Sequence, residues 1–454
     1  MKETTLAPAV ALTKKNNVGV LAVIVALFLA AVDSTIVSTV LPTISQQLGH
    51  PTLWPWVMSA FLLPVALVAP LAGACGDRFG VSTTLKACLL IFLCASAWAA
   101  VSTTMPMLIL ARALQGIGAG GIIVLSYSLL AALFDAERRG KMQGMLSGVW
   151  GLSAIVGPLL GSVLDATFGW RAIFWLNIPL GLLALLLLFI TPAVSKGAGK
   201  ACLDLPAQGA LIVATCCLLL LTARPESGDT LIAMLAVGLI AGVLALIARV
   251  RYQPESSPIP LPFFQRRTLF PVIVLVLLSS AALYASVTLL PLALSQQPTG
   301  VPTGLLVMLA ALGWVVGAAI CGARLALAGY RRMAAAGMLL LAVGGLLMAW
   351  AISQQQTWLM ATSLLLTGLG MGFTATATLV LAQNAAPPER LGTWTATVQF
   401  LRNLGAALGV NILATMQLHL SGLLAFPICF IIIGVSMLIG VIFTLLLPRA
   451  YPAK

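Results

Sequence analysis

Apolar residues run along this chain in long unbroken stretches, neither alternating with polar residues nor recurring every three or four positions. Fourteen runs stand out: 18–41, 54–75, 84–102, 106–130, 141–164, 171–191, 206–222, 230–249, 268–293, 303–325, 334–352, 358–382, 395–417 and 423–447. Crossing a bilayer takes roughly 20 apolar residues as a helix, and only helices or closed barrels satisfy their own backbone in lipid. Continuous rather than alternating apolar character selects helices, so the pattern predicts an all-α polytopic membrane protein with 14 transmembrane helices. The first run contains Asp33 and continues through Pro42 without a short apolar core and small-residue cleavage site. It therefore reads as a retained span and not a signal peptide.

Polar stretches at 192–205 and 250–267 bracket two plain spans, with six spans before them and six after. The expected organisation is an N-terminal six-helix bundle (1–194), a linker with two extra helices (195–265) and a C-terminal six-helix bundle (266–454). An internal repeat supports it. Gly116, Gly118 and Gly120 recur as Gly368, Gly370 and Gly372, an offset of 252 that also carries Glu137, Arg138 and Gly140 onto Glu389, Arg390 and Gly392, and Gly157 onto Gly409. Gly73 and Gly80 recur as Gly322 and Gly329 at an offset of 249. Parallel halves of this kind imply a pseudo-two-fold axis along the membrane normal, with a site between the halves near the midplane.

Composition agrees with that picture and charge orients it. The 454 residues are 61% hydrophobic and 8% charged, against roughly 25% charged in soluble domains. The net charge of +13 would suit a nucleic-acid partner, but 20 of the 24 basic residues fall on one side of the predicted topology. That is the positive-inside asymmetry, which places both termini in the cytoplasm and leaves no nucleic-acid role. The cysteines lack zinc-ligand spacing and no span carries a cluster of His, Asp and Glu, so no disulfide, metal or cofactor is expected, and no enzyme. A nucleotide-binding G-x-x-x-x-G-K-[ST] string is absent from the sequence, which argues against ATP as an energy source.

Several motifs carry chemistry. Asp33 is the only carboxylate well inside any predicted span; burying it ionised is costly, so it should be paired, or protonated during part of a cycle. The alternative is a structural Asp bonded to Ser34 or Thr35. Arg112 lies at a matching depth in span 4, within reach of Asp33, with Gln115 one turn on; the alternative is an arginine snorkelling to the interface. The turn after span 2 reads Gly73-Ala-Cys-Gly-Asp77-Arg78-Phe-Gly80. Its glycines permit a tight turn, and Asp77 can cap a helix or pair with Arg138 or Arg139. In span 5, Gly144, Gly148 and Gly151 line one face and would let another helix approach closely, while Gly157-Pro158-x-x-Gly161 would bend the helix. Span 13 carries Arg402-Asn403-x-Gly405, with Arg402 roughly 10 Å from the cytoplasmic end. Trp54, Trp56, Trp98, Trp170, Trp350 and Trp358 fall near the outer interface and read as an aromatic belt; Trp150 and Trp314 lie mid-span, in the core or against a substrate.

These strings together resemble the major facilitator superfamily, specifically its fourteen-span drug:proton antiporters. The resemblance covers nearly the whole chain: G-x-x-x-D-R-x-G at 73–80, Asp33-Ser-Thr-Ile-Val…Leu-Pro42 in span 1, Leu108-x-x-x-Arg112-x-x-Gln115-Gly116 in span 4, the span 5 glycines and Gly169-Trp-Arg171…Asn177-Ile-Pro179 at span 6. It implies that the 73–80 turn, with Arg138 and Arg139, latches the cytoplasmic side, although Val81-Ser-Thr stands where the family usually has a basic pair. It also implies that Asp33 and Arg112 couple protons to transport. The cavity candidates are Asp33, Arg112, Gln115, Trp150, Trp314, Arg402 and Asn403. The expectation is a monomeric, proton-driven exporter of a small organic compound in a bacterial inner or plasma membrane. An uptake symporter of the same fold and a dedicated exporter of a metabolite or siderophore remain alternatives.

Overall fold

The computed structural model describes residues 14–48, 53–191, 203–223, 228–296, 303–420 and 425–449. Helices occupy nearly all of them: α1 (Lys14–Leu48), α2 (Trp54–Phe79), α3 (Val81–Ala100), α4 (Met105–Leu133), α5 (Ala136–Phe168), α6 (Arg171–Ile190), α7 (Leu205–Thr222), α8 (Asp229–Tyr252), α9 (Phe270–Gln296), α12 (Thr357–Ala385), α13 (Leu391–His419) and α14 (Ala425–Thr444). The run Thr303–Ser353 is broken at Gly329 (φ 78°, ψ 164°), and its two arms are α10 and α11. Among the described residues, twelve helical runs are long and apolar enough to cross a membrane. One of these holds two crossings because of the Gly329 break. Helix α13 falls outside the twelve because polar residues, among them Gln399, Arg402 and Asn403, interrupt its apolar sequence. The fourteen expected crossings are all present among the described residues.

Local chemistry sets the ends. Thr104 accepts from the Met107 amide to cap α4, Asp204 accepts from the Ala207 amide to cap α7, and Pro106 and Pro206 fill the first turns, where no N–H partner is needed. Gly80 (φ 94°) and Gly329 (φ 78°) turn the corners α2–α3 and α10–α11 in a left-handed conformation that only glycine adopts freely.

The repeat is structural as well as textual. Gly116 and Gly120 press α4 onto the backbone of α2, while Gly118 presses it onto α3. Gly368 and Gly372 do the same for α12 against α10, and Gly370 for α12 against α11. A side chain at any of these six positions would collide with neighbouring backbone, so α4 and α12 are the central, most buried helices of their halves. Helices α7 and α8 lie at the edge. Asn411 and Thr415 of α13 donate to the C-terminal turn of α7, and Arg249 of α8 pairs with Asp204 at 3.1 Å. Nearly the whole surface of α8 is exposed and apolar, as a lipid-facing helix requires.

Candidate functional site

Asp33 sits at the centre of a polar cluster sealed inside the N-terminal half. Arg112 Nη1 reaches its Oδ2 at 2.5 Å, and Gln115 Nε2 and Asn177 Nδ2 both donate to Oδ1 at 2.9 Å. Arg112 Nη1 also donates to Gln115 Oε1 at 2.7 Å, and Ser96 Oγ accepts from Gln115 Nε2 at 2.8 Å. Five side chains from α1, α3, α4 and α6 thus converge, and all five are buried. Phe61 of α2 stacks on the guanidinium, its centroid 4.0 Å away. The carboxylate accepts three bonds, which is what an ionised Asp needs away from water. The pair expected from matching helix depths is formed. Ser34 and Thr35 bond backbone carbonyls instead of Asp33, and Arg112 is fully buried. Asn177 and Ser96 were not expected. Asn177 belongs to the span 6 string, but nothing in its spacing pointed to Asp33.

The 73–80 turn behaves as one of its two expected forms. Asp77 caps a helix, and that helix lies in the other half: its Oδ1 accepts from the Gly392 amide at 2.7 Å, and its Oδ2 from the Thr393 amide at 2.7 Å and the Thr393 hydroxyl at 2.6 Å. A carboxylate on the first-turn amides of α13, which have no partner within their own helix, is favoured by the helix dipole. Pairing of Asp77 with Arg138 or Arg139 is not seen. Arg138 is exposed, whereas Arg139 crosses between the halves to the Gln383 carbonyl (3.1 Å) and Asn384 Oδ1 (2.8 Å). Arg78 is exposed, and half-buried Arg390 at the same corner has its pKa lowered by burial, with Asp77 and Glu255 opposing. A Cβ on Gly73 would lie 2.6 Å from the Gly392 carbonyl oxygen, and one on Gly140 would lie 3.0 Å from that of Gly322. The two halves are therefore pressed together at this end of the molecule.

Several glycine and tryptophan expectations need correction. Gly144 and Gly151 do admit α10, at Ala318–Ala319 and Val315, but Gly148 has nothing within 4 Å and faces open space. Gly157 and Gly161 approach Thr35, Ile36 and Thr39 of α1 in their own half, with Pro158 inside α5. Because α5 extends to Phe168, it also takes in Asp165, which accepts from Thr43 Oγ1 at 2.6 Å. Trp170 is not part of an exposed belt; it is buried, donates to Gln47 Oε1 and has Arg171 over its ring. Trp56, Trp98, Trp350 and Trp358 are exposed, and the Trp54 side chain lies outside the described residues.

A second cluster lies on the seam between the halves. Arg402 of α13 is buried, its guanidinium 5.9 Å from the Trp314 ring of α10 and within electrostatic reach of Tyr127 of α4 and Tyr284 of α9. Trp150 of α5 donates to the Tyr127 hydroxyl at 3.1 Å. Six of the seven expected cavity residues thus fall in two groups: Asp33, Arg112 and Gln115 in one, and Arg402 with Trp314 here, where Tyr127 brings in Trp150. Half-buried Asn403 enters no hydrogen bond of either group.

Comparison with known proteins supplies the family. The family model described as Major Facilitator Superfamily matches residues 23–410 and 329–454. The multidrug transporter protein MdtP of Bacillus subtilis is 27% identical over 90% of this chain and 76% of its own length. Multidrug resistance protein 3 of the same organism is 27% identical over 88% and 79%, and the efflux pump dotC of Dothistroma septosporum is 30% identical over 86% and 69%. Among solved structures, the human organic anion transporter MFSD10 superposes with a TM-score of 0.71 at 19% identity, covering 94% of this chain and 99% of that one. The proton:xylose symporter XylE gives 0.68 at 16% identity, covering 94% of each. Fourteen helical crossings, a duplicated glycine architecture, the 73–80 turn and these matches agree: the chain belongs to the Major Facilitator Superfamily, as a multi-pass membrane transporter of the efflux kind.

Proposed function

We propose that this protein is a proton-driven antiporter that exports a small organic compound across a bacterial inner or plasma membrane, acting as a monomer with both termini in the cytoplasm. The observation that carries the reading is the Asp33 cluster. Ionised, Asp33 accepts from Arg112, Gln115 and Asn177 at once. A proton on Asp33 would convert one acceptor oxygen into a donor and leave Arg112, whose charge is permanent, without its counter-ion. The cluster must then rearrange, so protonation and helix arrangement are linked through four helices. Asp77 on the start of α13 holds the cytoplasmic end shut, which corresponds to the state open to the outside, where Asp33 would take up its proton. Substrate arriving from the cytoplasm would release it, with the halves rocking about the seam. The relatives named as multidrug transporters and efflux pumps support the outward direction.

The test is proton movement in inside-out vesicles reconstituted with the purified protein and given an acidified lumen. Adding a transported compound is expected to drive protons out, and Asp33→Asn to abolish that efflux. Efflux that survives the substitution would remove Asp33 as the coupling group. Uptake in the opposite sense would replace the antiporter with a symporter.

A further inference from the structure

The seam holds a positive charge with no carboxylate partner among the described residues. Arg402 is 94% buried by its 6% residual exposure, yet only Nη1 has a hydrogen bond, to Gln399 Oε1 at 2.9 Å. Its Nε and Nη2, and the Gln399 Nε2 beside them, have no acceptor. The C-terminal half cannot supply one: from residue 256 to the end the sequence contains a single carboxylate, Glu389, about 20 Å from Arg402 along α13 by helical rise. The other acids described within helices of the N-terminal half are engaged elsewhere, Asp33 by Arg112, Asp77 by α13 and Asp165 by Thr43. Neutral acceptors are present, Gln399 Oε1 and the Tyr127 hydroxyl, but no described carboxylate faces a guanidinium that cannot lose its charge. Water could satisfy the hydrogen bonds but would leave the charge unbalanced.

Shape points the same way. Gly148 faces open space, with nothing within 4 Å of its Cβ position, one turn from Gly144 and close to Gly151, which both touch α10. Tyr284, within electrostatic reach of buried Arg402, is itself 38% exposed. Trp314 and Tyr127 supply aromatic walls from opposite halves.

We propose that Arg402, with Gln399, binds the anionic group of the transported compound, a carboxylate or sulfonate on an aromatic body. The planar fork of the guanidinium suits a two-oxygen anion, and the aromatic walls suit the rest of the molecule. The contribution of side chains from both halves means that the bound anion would be felt by either half as they move. This assignment rests on the seam being the transport pathway of the proposed exporter.

The experiment is equilibrium binding to the full-length protein in lipid nanodiscs, with no proton gradient. Three probes share one ring system: pyrene-1-butanoate, its methyl ester, and the corresponding butyl-trimethylammonium. The anion is expected to bind at least tenfold more tightly than either of the others, to be indifferent to chloride at physiological concentration, and to lose that preference in Arg402→Gln. Should that variant not fold, as judged by circular dichroism and gel filtration, Arg402→Met carries the same expectation, because it keeps the long apolar stem. Arg402→Lys should keep the preference at lower affinity. Equal binding of the three probes, tighter binding of the cation, a preference unchanged without Arg402, or full displacement by chloride would each overturn the proposal. Binding and coupling fail separately. Proton-coupled export of a cation with no anion preference would overturn this assignment and leave the antiporter, whereas an anion preference without proton exchange would do the reverse.

Discussion

Two arginines lie deep in the helices of this protein, one in each half, and their surroundings are opposite. Arg112 has Asp33, Gln115 and the Phe61 ring around it, and all of these come from its own half. Arg402 has one neutral amide oxygen and the aromatic rings of the seam. The duplication that built the two halves did not preserve this chemistry. At the offset that relates α4 to α12, Leu364 stands where Arg112 would be and Thr367 where Gln115 would be, while Arg402 matches Trp150. Helix packing is symmetric because it depends on glycines at equivalent positions. Charge is asymmetric: both arginines keep a buried Nη2 without an acceptor, but Arg112 has a carboxylate beside it and Arg402 has none among the described residues.

The comparison predicts opposite signs for one substitution at the two sites. Arg112→Met would strand Asp33 as a buried charge and is expected to cost about 3–5 kcal/mol. Arg402→Met removes a charge that has no carboxylate partner among the described residues and is expected to be neutral or stabilising by about 1 kcal/mol or more. Thermal unfolding of the two purified variants in the same detergent reads the difference directly. A double variant, Asp33→Asn with Arg112→Met, should recover most of the loss. If Arg402→Met were as damaging as Arg112→Met, the seam arginine would have a partner within the protein and the contrast would collapse.

A smaller effect is expected at the paired seams near the 73–80 turn. The pseudo-two-fold carries the Gly73–Gly392 contact onto the Gly322–Gly140 contact, so both halves close on each other twice in the same way. Only one copy is reinforced by an acid: Asp77 binds the start of α13, and the equivalent position in α10 is Ala326. Asp77→Asn removes the charge while leaving the steric fit, and losing hydrogen bonds to a charged group costs about 1.5–3 kcal/mol. That shifts the balance between closed and open forms by at least about tenfold. Spin labels at exposed Arg78 and Arg324, one in each half, should show the longer distance gaining population. The same labels in an Ala326→Asp variant test whether the second seam can be strengthened by an acid.

Most of the architecture was readable without coordinates, for a physical reason. Lipid forces apolar runs to be helices of fixed length, and helices packed backbone to backbone must carry glycine, so both the fourteen crossings and the repeat are written in composition and spacing. Asp33 and Arg112 were also legible, since depth along a helix follows from counting residues. Rotation about the helix axis was not. Asn177 and Ser96 joined Asp33, Trp170 turned inward and Gly148 turned to open space because of how each helix is rolled against its neighbours. No spacing within one span encodes that roll. Partner choice across the halves was equally hidden: Asp77 finds Gly392 and Thr393 more than three hundred residues away, while the basic residues nearer in sequence go elsewhere.

The roll of α5 gives the smallest and most specific prediction. Gly144, Gly148 and Gly151 look alike in sequence, yet only Gly144 and Gly151 touch α10. A Cβ on Gly151 would strike the Val315 side chain, which must move, and overpacking of this kind costs about 1–3 kcal/mol. A Cβ on Gly148 meets nothing, so Gly148→Ala should be neutral or gain up to about 0.8–1.0 kcal/mol from helix propensity. Unfolding of the two variants separates the contact from the opening. The Gly148 position also reports on the space beside the seam. If that space is where an aromatic anion lies, Gly148→Trp should leave the protein folded while blocking pyrene-1-butanoate, and Gly148→Ala should not. A Gly148→Trp protein that still bound the anion with unchanged affinity would place the bound molecule elsewhere and leave Arg402 to be balanced from another side.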